Sequence, residues 1–206
     1  MAAAGTSQRL QTTGESTLKQ VLHSLACTAP NWRLRPVRAH DVALLDAFFH
    51  NLSPESRRRR FHVGLRDVPL QWLERFTHPE PCDELALLAV AEQGGREVCI
   101  AEARYALGDD APLRREFAIT VADDWQGRGL GGTLLRRLIR HAARRGLEGL
   151  YGDVQRDNGP MLQLARSAGL RLQRHPGDAT LVRVASERAA PRWHAVAASQ
   201  RSAAPL

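Results

Sequence analysis

The sequence predicts a mixed α/β fold in which antiparallel strands come first and a strand–helix–strand unit follows. Residues 84–91 have the composition of a buried strand, and Gln93-Gly94-Gly95 turn the chain back into a second apolar run, 98–105. This pattern is typical of an antiparallel hairpin. A further strand-like run, 115–121, enters a glycine-rich turn that opens into a helix-periodic segment. A strand, a turn and a helix in this order indicate a βαβ unit beside the hairpin.

Length and composition fit a single domain with two tails. The chain has 206 residues, of which 43% are hydrophobic and 25% are charged, so it can bury a sizeable core. We expect a flexible N-terminal tail over residues 1–30, the folded domain over 31–186, and a C-terminal tail over 187–206.

The chain shows no pattern of a membrane span, a secretory signal or a metal site. No apolar stretch approaches the roughly 20 residues that cross a bilayer, and the N-terminal region has no secretory apolar core. The three cysteines, Cys27, Cys82 and Cys99, are widely separated and form no Cys-x-x-Cys pair. We therefore expect a cytoplasmic protein with reduced thiols, no metal and no membrane partner.

A net charge of +7 raises the question of a nucleic-acid partner. Lys19 is the only lysine, so 28 of the 29 basic residues are arginine, a skew more typical of a GC-rich coding bias. Aromatic residues make up only 5% of the chain and offer few platforms on which bases could stack. We expect no nucleic-acid partner.

Local signals place the elements that precede the hairpin. The first strand is predicted at 32–37, followed by a helix that Asp41 caps and that runs to about Phe49. Ser53 and Pro54 predict the start of a second helix, and residues 69–76 form a third apolar-periodic segment. Charge runs usually face water, so we expect the arginine run at 57–60 to lie mostly on a solvated helix surface.

The elements after the glycine turn alternate between helix and strand. The helix over 133–143 should bury one apolar face, and Gly146 is a plausible C-cap. The inward residues are predicted to be Leu134, Leu135, Leu138, Ile139 and Ala142. A strand around 147–154, a helix around 160–167 and two short strands near 170–173 and 180–184 complete the prediction.

The glycine-rich turn itself indicates phosphate binding. A turn of this kind at a strand-to-helix junction points several backbone N–H groups at one spot near the positive end of the helix dipole. The turn is not a Walker loop, because Thr133 rather than a lysine follows Gly132, and its glycines do not have dinucleotide-binding spacing. The pattern Gln126-x-x-Gly129-x-Gly131 instead resembles the pyrophosphate loop of the GNAT superfamily of acyl-CoA N-acyltransferases.

The resemblance extends over residues 32–185. Residues 34–49 look like the opening strand and first helix of that family, and 52–61 are similar to the second-helix segment of bacterial protein lysine acetyltransferases. Residues 103–105 match the end of their third strand, and 157–170 match the distal half. The resemblance implies the GNAT fold in a single domain.

The resemblance further implies an N-acetyltransferase that uses acetyl-CoA as its acyl donor. Backbone amides of the glycine loop would hold the pyrophosphate, with Thr133 opening the helix. The backbone of three strand residues would pair with the pantetheine arm, and an asparagine would contact it. The implied donor-binding residues are Ile119, Thr120, Val121, Gln126, Gly127, Arg128, Gly129, Leu130, Gly131, Gly132, Thr133 and Asn158.

Glu116 is the predicted general base. It lies five residues before Val121, where the resemblance places the catalytic glutamate of lysine acetyltransferases, and strand alternation puts it on the small or polar face. A free glutamate has a pKa near 4.3, and burial beside the thioester would raise that pKa. The alternative is a surface glutamate paired with Arg114 or Arg115. Asp123 and Asp124 are second choices, which more simply shape the turn.

Two positions leave alternatives open. Asn158 also suits a turn residue in Asp157-Asn158-Gly-Pro. At Ala165 many GNAT enzymes have a tyrosine that acts as general acid, and neither of the two tyrosines, Tyr105 and Tyr151, aligns with it. Either the leaving thiolate needs no general acid, since a thiol has a pKa of about 8.5, or another group serves.

The predicted reaction is direct attack of an amine on acetyl-CoA in a ternary complex. A protein lysine is the preferred acceptor, because residues 52–61 and 103–105 carry the resemblance to lysine acetyltransferases. A small amine or amino acid is the second hypothesis, although no obvious acidic cluster would hold a cation. A non-catalytic acyl-CoA sensor is the third, and a nucleic-acid binder is the weakest.

Overall fold

The computed structural model describes residues 32–81, 83–107 and 114–186. Within these ranges seven strands form one sheet and five α-helices accompany it. The strands are β1 Trp32–Pro36, β2 Leu85–Gln93, β3 Arg96–Leu107, β4 Arg114–Val121, β5 Gly149–Gln155, β6 Arg171–Arg174 and β7 Leu181–Ala185. The helices are α1 Val42–His50, α2 Pro54–Phe61, α3 Leu70–Thr77, α4 Leu130–Arg144 and α5 Gly159–Ser167. The predicted tails, 1–30 and 187–206, lie outside the described residues.

The sheet has the mixed topology that the sequence predicts. The strand order is β1-β2-β3-β4-β5-β7-β6. β2, β3 and β4 form an antiparallel meander, in which Gly94 and Gly95 make the first turn. β4 and β5 are parallel and joined through α4, as in a βαβ unit, and β7 pairs antiparallel with both β5 and β6.

The two central strands, β4 and β5, separate after a short paired stretch. Their register pairs run from Arg114 with Gly149 to Glu116 with Tyr151. On its other edge β4 stays paired with β3 as far as Val121. The second half of β4 is therefore anchored to the sheet on one side, and a gap opens toward β5.

The core lies on both faces of the sheet. On one face α1 and α3 bury Leu45, Phe49 and Leu73 against β2. On the other face α4 buries an apolar stripe, and Tyr105 of β3 hydrogen-bonds His141 of α4 at 2.6 Å. The buried residues of α4 are Leu130, Leu134, Leu135, Leu138 and Ala142. Four of the five predicted inward positions of this helix are thus buried, while Ile139 is half-buried.

Helix α4 begins earlier than predicted, at Leu130 rather than residue 133. Gly129 precedes it in the left-handed region, with φ of 81°, a conformation that glycine adopts without a steric penalty. Gly131 and Gly132 then form the first helical turn. Leu164 of α5 explains the small residue at 131, since a Cβ there would come within 3.1 Å of the Leu164 side chain.

Two helix starts test the predicted caps. Ser53 caps α2 as predicted, because its hydroxyl accepts a hydrogen bond from the Ser56 N–H at 3.1 Å and Pro54 follows. Asp41 precedes α1 without capping it. Its buried carboxylate instead binds Arg35 of β1 at 2.6 and 2.8 Å, because a buried guanidinium needs a charged partner.

None of the helices in the described ranges is long and apolar enough to cross a membrane.

Candidate active site

A cleft of about 1030 Å³ opens where β4 and β5 separate. One wall is the second half of β4, from Glu116 to Val121, and the opposite wall is β5 from Gly152 to Val154. The glycine loop and the start of α4 close one end. Aromatic residues of α2 and α3, namely Phe61, Trp72 and Phe76, line a further side.

Most of the predicted site residues line this one cleft. They are Glu116, Ile119, Thr120, Val121, Gln126, Gly127, Gly129, Leu130, Gly131, Gly132 and Asn158. Arg128 and Thr133 are not among the lining residues. The Arg128 guanidinium lies 5.0 Å from the centre of the Trp125 ring, and the Thr133 N–H donates to the Gly129 carbonyl at 3.1 Å. Because that N–H is used inside the helix, Thr133 does not open the helix as predicted.

The glycine loop has the geometry of an anion cradle. Gly127 and Gly129 have φ of 73° and 81°, which turns the backbone sharply into α4. The N–H groups of Leu130, Gly131 and Gly132 belong to the first helical turn, so they have no acceptor within the helix. Gln126 contributes less, since its own N–H donates to the Asp123 carbonyl at 3.2 Å. Oriented donors at the positive end of a helix suit a pyrophosphate.

Asp123 holds the loop rather than facing the cleft. Its carboxylate accepts hydrogen bonds from the Ser53 N–H and hydroxyl, both at 2.8 Å, and from the Ser56 hydroxyl at 2.7 Å. Burial is the largest influence on the pKa of Asp123 and acts to raise it, but the hydrogen bonds from Ser56 and Ser53 lower the pKa overall. Asp123 therefore joins the turn to the N-terminus of α2, a role beyond the predicted local turn.

Glu116 lies at the point where β4 and β5 part. Its Cα is paired with Tyr151, the last residue of β5 that remains in register with β4. Glu116 is exposed and belongs to the cleft lining. Its burial beside a bound thioester stays a prediction. The neighbouring Arg115 is buried and binds the carbonyl and the carboxylate of Asp83.

Comparisons with known proteins agree with this geometry. Residues 45–170 match the Acetyltransferase (GNAT) family. An acetyltransferase of Pseudomonas aeruginosa is 33% identical over 151 residues, which are 72% of this chain and 80% of that protein. The chain belongs to the GNAT acetyltransferase family.

Relatives of the Pat type are among the similar proteins. The acetyltransferase Pat of Mycolicibacterium smegmatis is 31% identical over 136 residues, 66% of this chain, and the match spans 40% of Pat. The GNAT domain of PAT from S. lividans superposes with a TM-score of 0.67 at 29% identity, over 75% of this chain and 89% of that domain. The protein yncA of Salmonella typhimurium, solved with acetyl-CoA, shares the fold at 20% identity and a TM-score of 0.59, over 78% and 97% of the two chains. The predicted GNAT fold and acetyltransferase class are confirmed by the family match and these relatives.

Asn158 has a structural role in this GNAT enzyme. Its side-chain oxygen accepts a hydrogen bond from the Met161 N–H at 3.2 Å and so caps α5. The residue also lines the cleft. Asn158 is therefore a helix cap rather than the turn residue of the alternative, and its contact with pantetheine stays a prediction.

Neither tyrosine of the GNAT domain lines the cleft. Tyr105 is buried and hydrogen-bonded to His141, and Tyr151 is buried with the Arg183 guanidinium 4.7 Å from its ring centre. Ala165, at the position where many GNAT enzymes have tyrosine, is fully buried in α5. No tyrosine is thus placed to protonate a leaving thiolate.

The arginine run 57–60 is not mostly solvated, which corrects the prediction. Arg57 donates to the carbonyls of His50 and Leu52 at 2.8 and 2.6 Å. Arg60 is nearly buried and pairs with Glu102 of β3 at 3.3 Å. These two guanidinium groups point into the fold because carbonyl and carboxylate acceptors lie within hydrogen-bonding distance of α2. The remaining pairs are Arg58 with Glu55 and Asp157, and Arg59 with Glu55.

Two carboxylates near the cleft, Glu102 and Asp153, are not predicted from the sequence. Glu102 has no exposed surface and lies between Arg60 and Arg104. Asp153 lines the cleft on β5 and forms a two-pronged contact with Arg183, at 2.9 Å to each oxygen. Burial raises the pKa of Asp153. The sequence offers one signal for Glu102, which is a charged residue inside an otherwise apolar strand.

Proposed function

We propose that this GNAT enzyme transfers the acetyl group of acetyl-CoA to an amine by direct attack in a ternary complex, with a protein lysine as preferred acceptor. One observation carries the proposal: the separation of β4 from β5 creates a single cleft that joins the glycine loop to Glu116. The donor site and the proposed base therefore share one space, as transfer between two bound substrates requires.

The chain offers two kinds of backbone group to acetyl-CoA. The first-turn N–H groups of Leu130, Gly131 and Gly132, together with the loop from Gly127, would hold the pyrophosphate. The edge of β4 at 119–121 has lost its β5 neighbour. It would pair with the amides of pantetheine as an added strand. Bound acetyl-CoA supplies the activated acetyl group.

Glu116 would take the proton from the acceptor amine. Glu116 is an exposed residue of the cleft lining and would accept the proton directly or through one water. An alkylammonium must lose a proton before it can attack, so the enzyme needs a base at this place. Removing such a base typically costs about 10²- to 10⁴-fold in rate.

The cleft wall made by α2 and α3 supports a protein acceptor. Trp72 is 39% exposed, and its ring lies 6.0 Å from that of Phe61. Val63, which follows the end of α2, is 50% exposed, and Leu70, the first residue of α3, is 62% exposed. Exposed apolar groups beside a cleft are typical of surfaces that bind another protein. The resemblance of residues 52–61 and 103–105 to bacterial protein lysine acetyltransferases gives further support.

The donor site can be tested with Gly132, the third residue of α4. Its φ is not positive, and a Cβ there would meet mainly the flexible end of Arg136 at 3.2 Å. Gly132→Glu adds a carboxylate that suits a helix N-terminus but repels pyrophosphate. We expect calorimetric titration to show micromolar binding of acetyl-CoA to wild type and to the control Gly132→Ala, and at least about 100-fold weaker binding to Gly132→Glu. Equal binding to all three would place the donor elsewhere.

The acceptor and the base can be tested in one assay of free-CoA release. A lysine-containing peptide, free lysine and spermidine are compared as acceptors for wild type and Glu116→Gln. We expect the peptide to be preferred and Glu116→Gln to lose about 10²- to 10⁴-fold in kcat while still binding acetyl-CoA. Preference for spermidine or free lysine would favour a small-amine enzyme. Binding without turnover of any amine would favour the sensor alternative.

We also propose residues 31–186 as the folded acetyltransferase domain and the cytoplasm as its location. The family match, 45–170, falls within these bounds. Limited proteolysis tests the first statement and fractionation of cells tests the second.

A further inference from the structure

An arginine side chain lies against the first turn of α4. A Cβ on Gly132 would be 3.2 Å from Nη1 and 3.8 Å from Cζ of Arg136, so the guanidinium folds back over the turn that contains Gly132. Helical side chains point toward the N-terminus of their helix, which brings a residue four positions later to this place. Gly132 also lines the cleft. Arg136 therefore brings a positive charge to the edge of the proposed pyrophosphate site.

The backbone at Gly132 does not itself require glycine. Gly132 is a helical residue without a positive φ, and glycine inside a helix costs roughly 1 kcal/mol relative to alanine. The missing side chain leaves room for Arg136 Nη1, the atom that a Cβ would approach most closely. A methyl group would require that atom to move by only a few tenths of an ångström. Gly132→Ala therefore remains a fair control for the donor site.

The charge of Arg136 is not matched by an acidic side chain. Arg136 is exposed, and within the described ranges it forms no ion pair or hydrogen bond. No aspartate or glutamate occurs in residues 125–147 of the sequence. A cation is unfavourable at the positive end of a helix dipole. An anion bound at this end of α4 would reverse that effect, because it would attract both the helix dipole and the guanidinium.

Acetyl-CoA carries more negative charge than the lining of the glycine loop can balance. Its pyrophosphate and its 3′-phosphate together carry about four negative charges at neutral pH. A helix N-terminus is equivalent to only about half a positive charge, and none of the cleft-lining residues within 125–132 is cationic. Arg59, Arg60 and Arg75 line the α2 and α3 side of the cleft, and each pairs with a carboxylate. A cation for the donor must therefore come from beside the loop.

We propose that Arg136 is a binding residue for acetyl-CoA and that its guanidinium donates hydrogen bonds to a phosphate group of this donor. The inference rests on the proposed function, which places the donor at the glycine loop. A planar guanidinium suits a phosphate because it can donate two parallel hydrogen bonds. Arg128, a second basic residue of the loop, has its guanidinium 5.0 Å from the centre of the Trp125 ring instead.

Calorimetric titration of acetyl-CoA into wild type, Arg136→Gln and Arg140→Gln tests this inference without any turnover. Both arginines are exposed on α4, and Arg140 lies one turn further from the glycine loop. Each variant removes one positive charge, so both reduce the net charge of the protein equally. We expect about 10-fold weaker binding to Arg136→Gln and a change of less than about 2-fold for Arg140→Gln. The loss in Arg136→Gln should shrink at high salt, because the contact is exposed.

Acetyl-dephospho-CoA, which lacks the 3′-phosphate, identifies the group that Arg136 binds. A loss in Arg136→Gln for acetyl-CoA alone would assign the contact to the 3′-phosphate, and an equal loss for both donors would assign it to the pyrophosphate. Unchanged binding of both donors, or an equal loss in Arg140→Gln, would overturn the inference. Wild-type binding to Arg136→Gln with weak binding to Gly132→Glu would leave the proposed donor site standing. Equal binding to wild type and Gly132→Glu would contradict the proposed site itself.

Discussion

Asp123 accepts two hydrogen bonds from Ser53, one from the backbone N–H and one from the hydroxyl, both at 2.8 Å. Ser53 caps α2, and Asp123 lies in the turn that leads from β4 into the glycine loop. One carboxylate therefore fixes α2 relative to the proposed pyrophosphate site. Because α2 also carries Arg60, the same contact sets the position of the cleft wall.

Replacing Asp123 with alanine should loosen this junction. We expect the KM for acetyl-CoA to rise several-fold. The free energy of unfolding should fall by only about 1 kcal/mol, because the hydrogen bonds to the Asp123 carboxylate are exposed. Asp123→Asn keeps one acceptor oxygen and should lie between wild type and Asp123→Ala. Urea unfolding and steady-state kinetics measure the two effects. An unchanged KM in a less stable Asp123→Ala protein would show that the loop holds its shape without α2.

Asn158 allows its two roles to be separated. Its oxygen caps α5, and its NH₂ group is the proposed donor to pantetheine. Asn158→Asp keeps an acceptor for the Met161 N–H but removes the donor, whereas Asn158→Ala removes both. We expect Asn158→Ala alone to lose stability, by about 1 kcal/mol.

Binding of acetyl-CoA gives the second readout on Asn158. Both variants should bind it more weakly than wild type, as measured by calorimetric titration. Wild-type affinity in Asn158→Asp would mean that the residue is a helix cap and nothing more.

The sequence predicts the elements of this protein well because their signals are local. The hairpin turn at Gly94 and Gly95, the Ser53 cap and the apolar stripe of α4 each depend on neighbouring residues. The sequence predicts the start of α4 three residues late because Gly131 and Gly132 have low helix propensity. Their presence follows from the close approach of Leu164, a contact over 30 residues away in the chain.

The charged network around the cleft could not be predicted in the same way. Arg57 and Arg60 look like members of a solvated run, and only the folding of α2 onto the sheet brings Arg60 to Glu102. Asp41 likewise follows the rule for a cap but lies closer to a buried guanidinium from β1. The partners of such residues are set by contacts between distant parts of the chain, and a single sequence does not reveal those contacts.

Gly152 marks the place where β4 and β5 part. A Cβ on Gly152 would lie 3.1 Å from both a ring carbon and the carbonyl oxygen of Phe117. Backbone cannot yield as a flexible side chain does, so Gly152→Ala should push β5 from β4 and cost about 1–3 kcal/mol. Gly177→Ala is the control, since its nearest neighbour would be 3.9 Å away and its stability should stay within about 0.5 kcal/mol.

Thermal and urea unfolding measure both Gly152→Ala and Gly177→Ala, and acetyl-CoA titration shows whether the cleft has changed. A Gly152→Ala protein as stable as the control would mean that the strands can separate further at no cost.

The buried pair of Arg35 and Asp41 should make stability depend on pH. Their side chains are 7% and 3% exposed. Burial is the largest influence on the pKa of Asp41 and raises it, but the hydrogen bonds from Arg35 and from the Arg38 N–H lower it overall. A lowered folded-state pKa means that the pair contributes its full stability above the ordinary aspartate pKa. That contribution is lost as pH falls through the lowered value.

Asp41→Asn removes the charge and leaves Arg35 buried with only Glu97 as an acidic partner among the described residues. We expect a loss of about 3 kcal/mol at pH 7, and a gap from wild type that narrows once pH falls below about 4. Asp67→Asn is the matched control, because Asp67 and its partner His50 are both more than half exposed and should contribute under about 1 kcal/mol. Urea unfolding between pH 3 and pH 7 measures both differences. A gap for Asp41→Asn that stays constant over this range would show that the aspartate acts by packing and hydrogen bonding rather than by its charge.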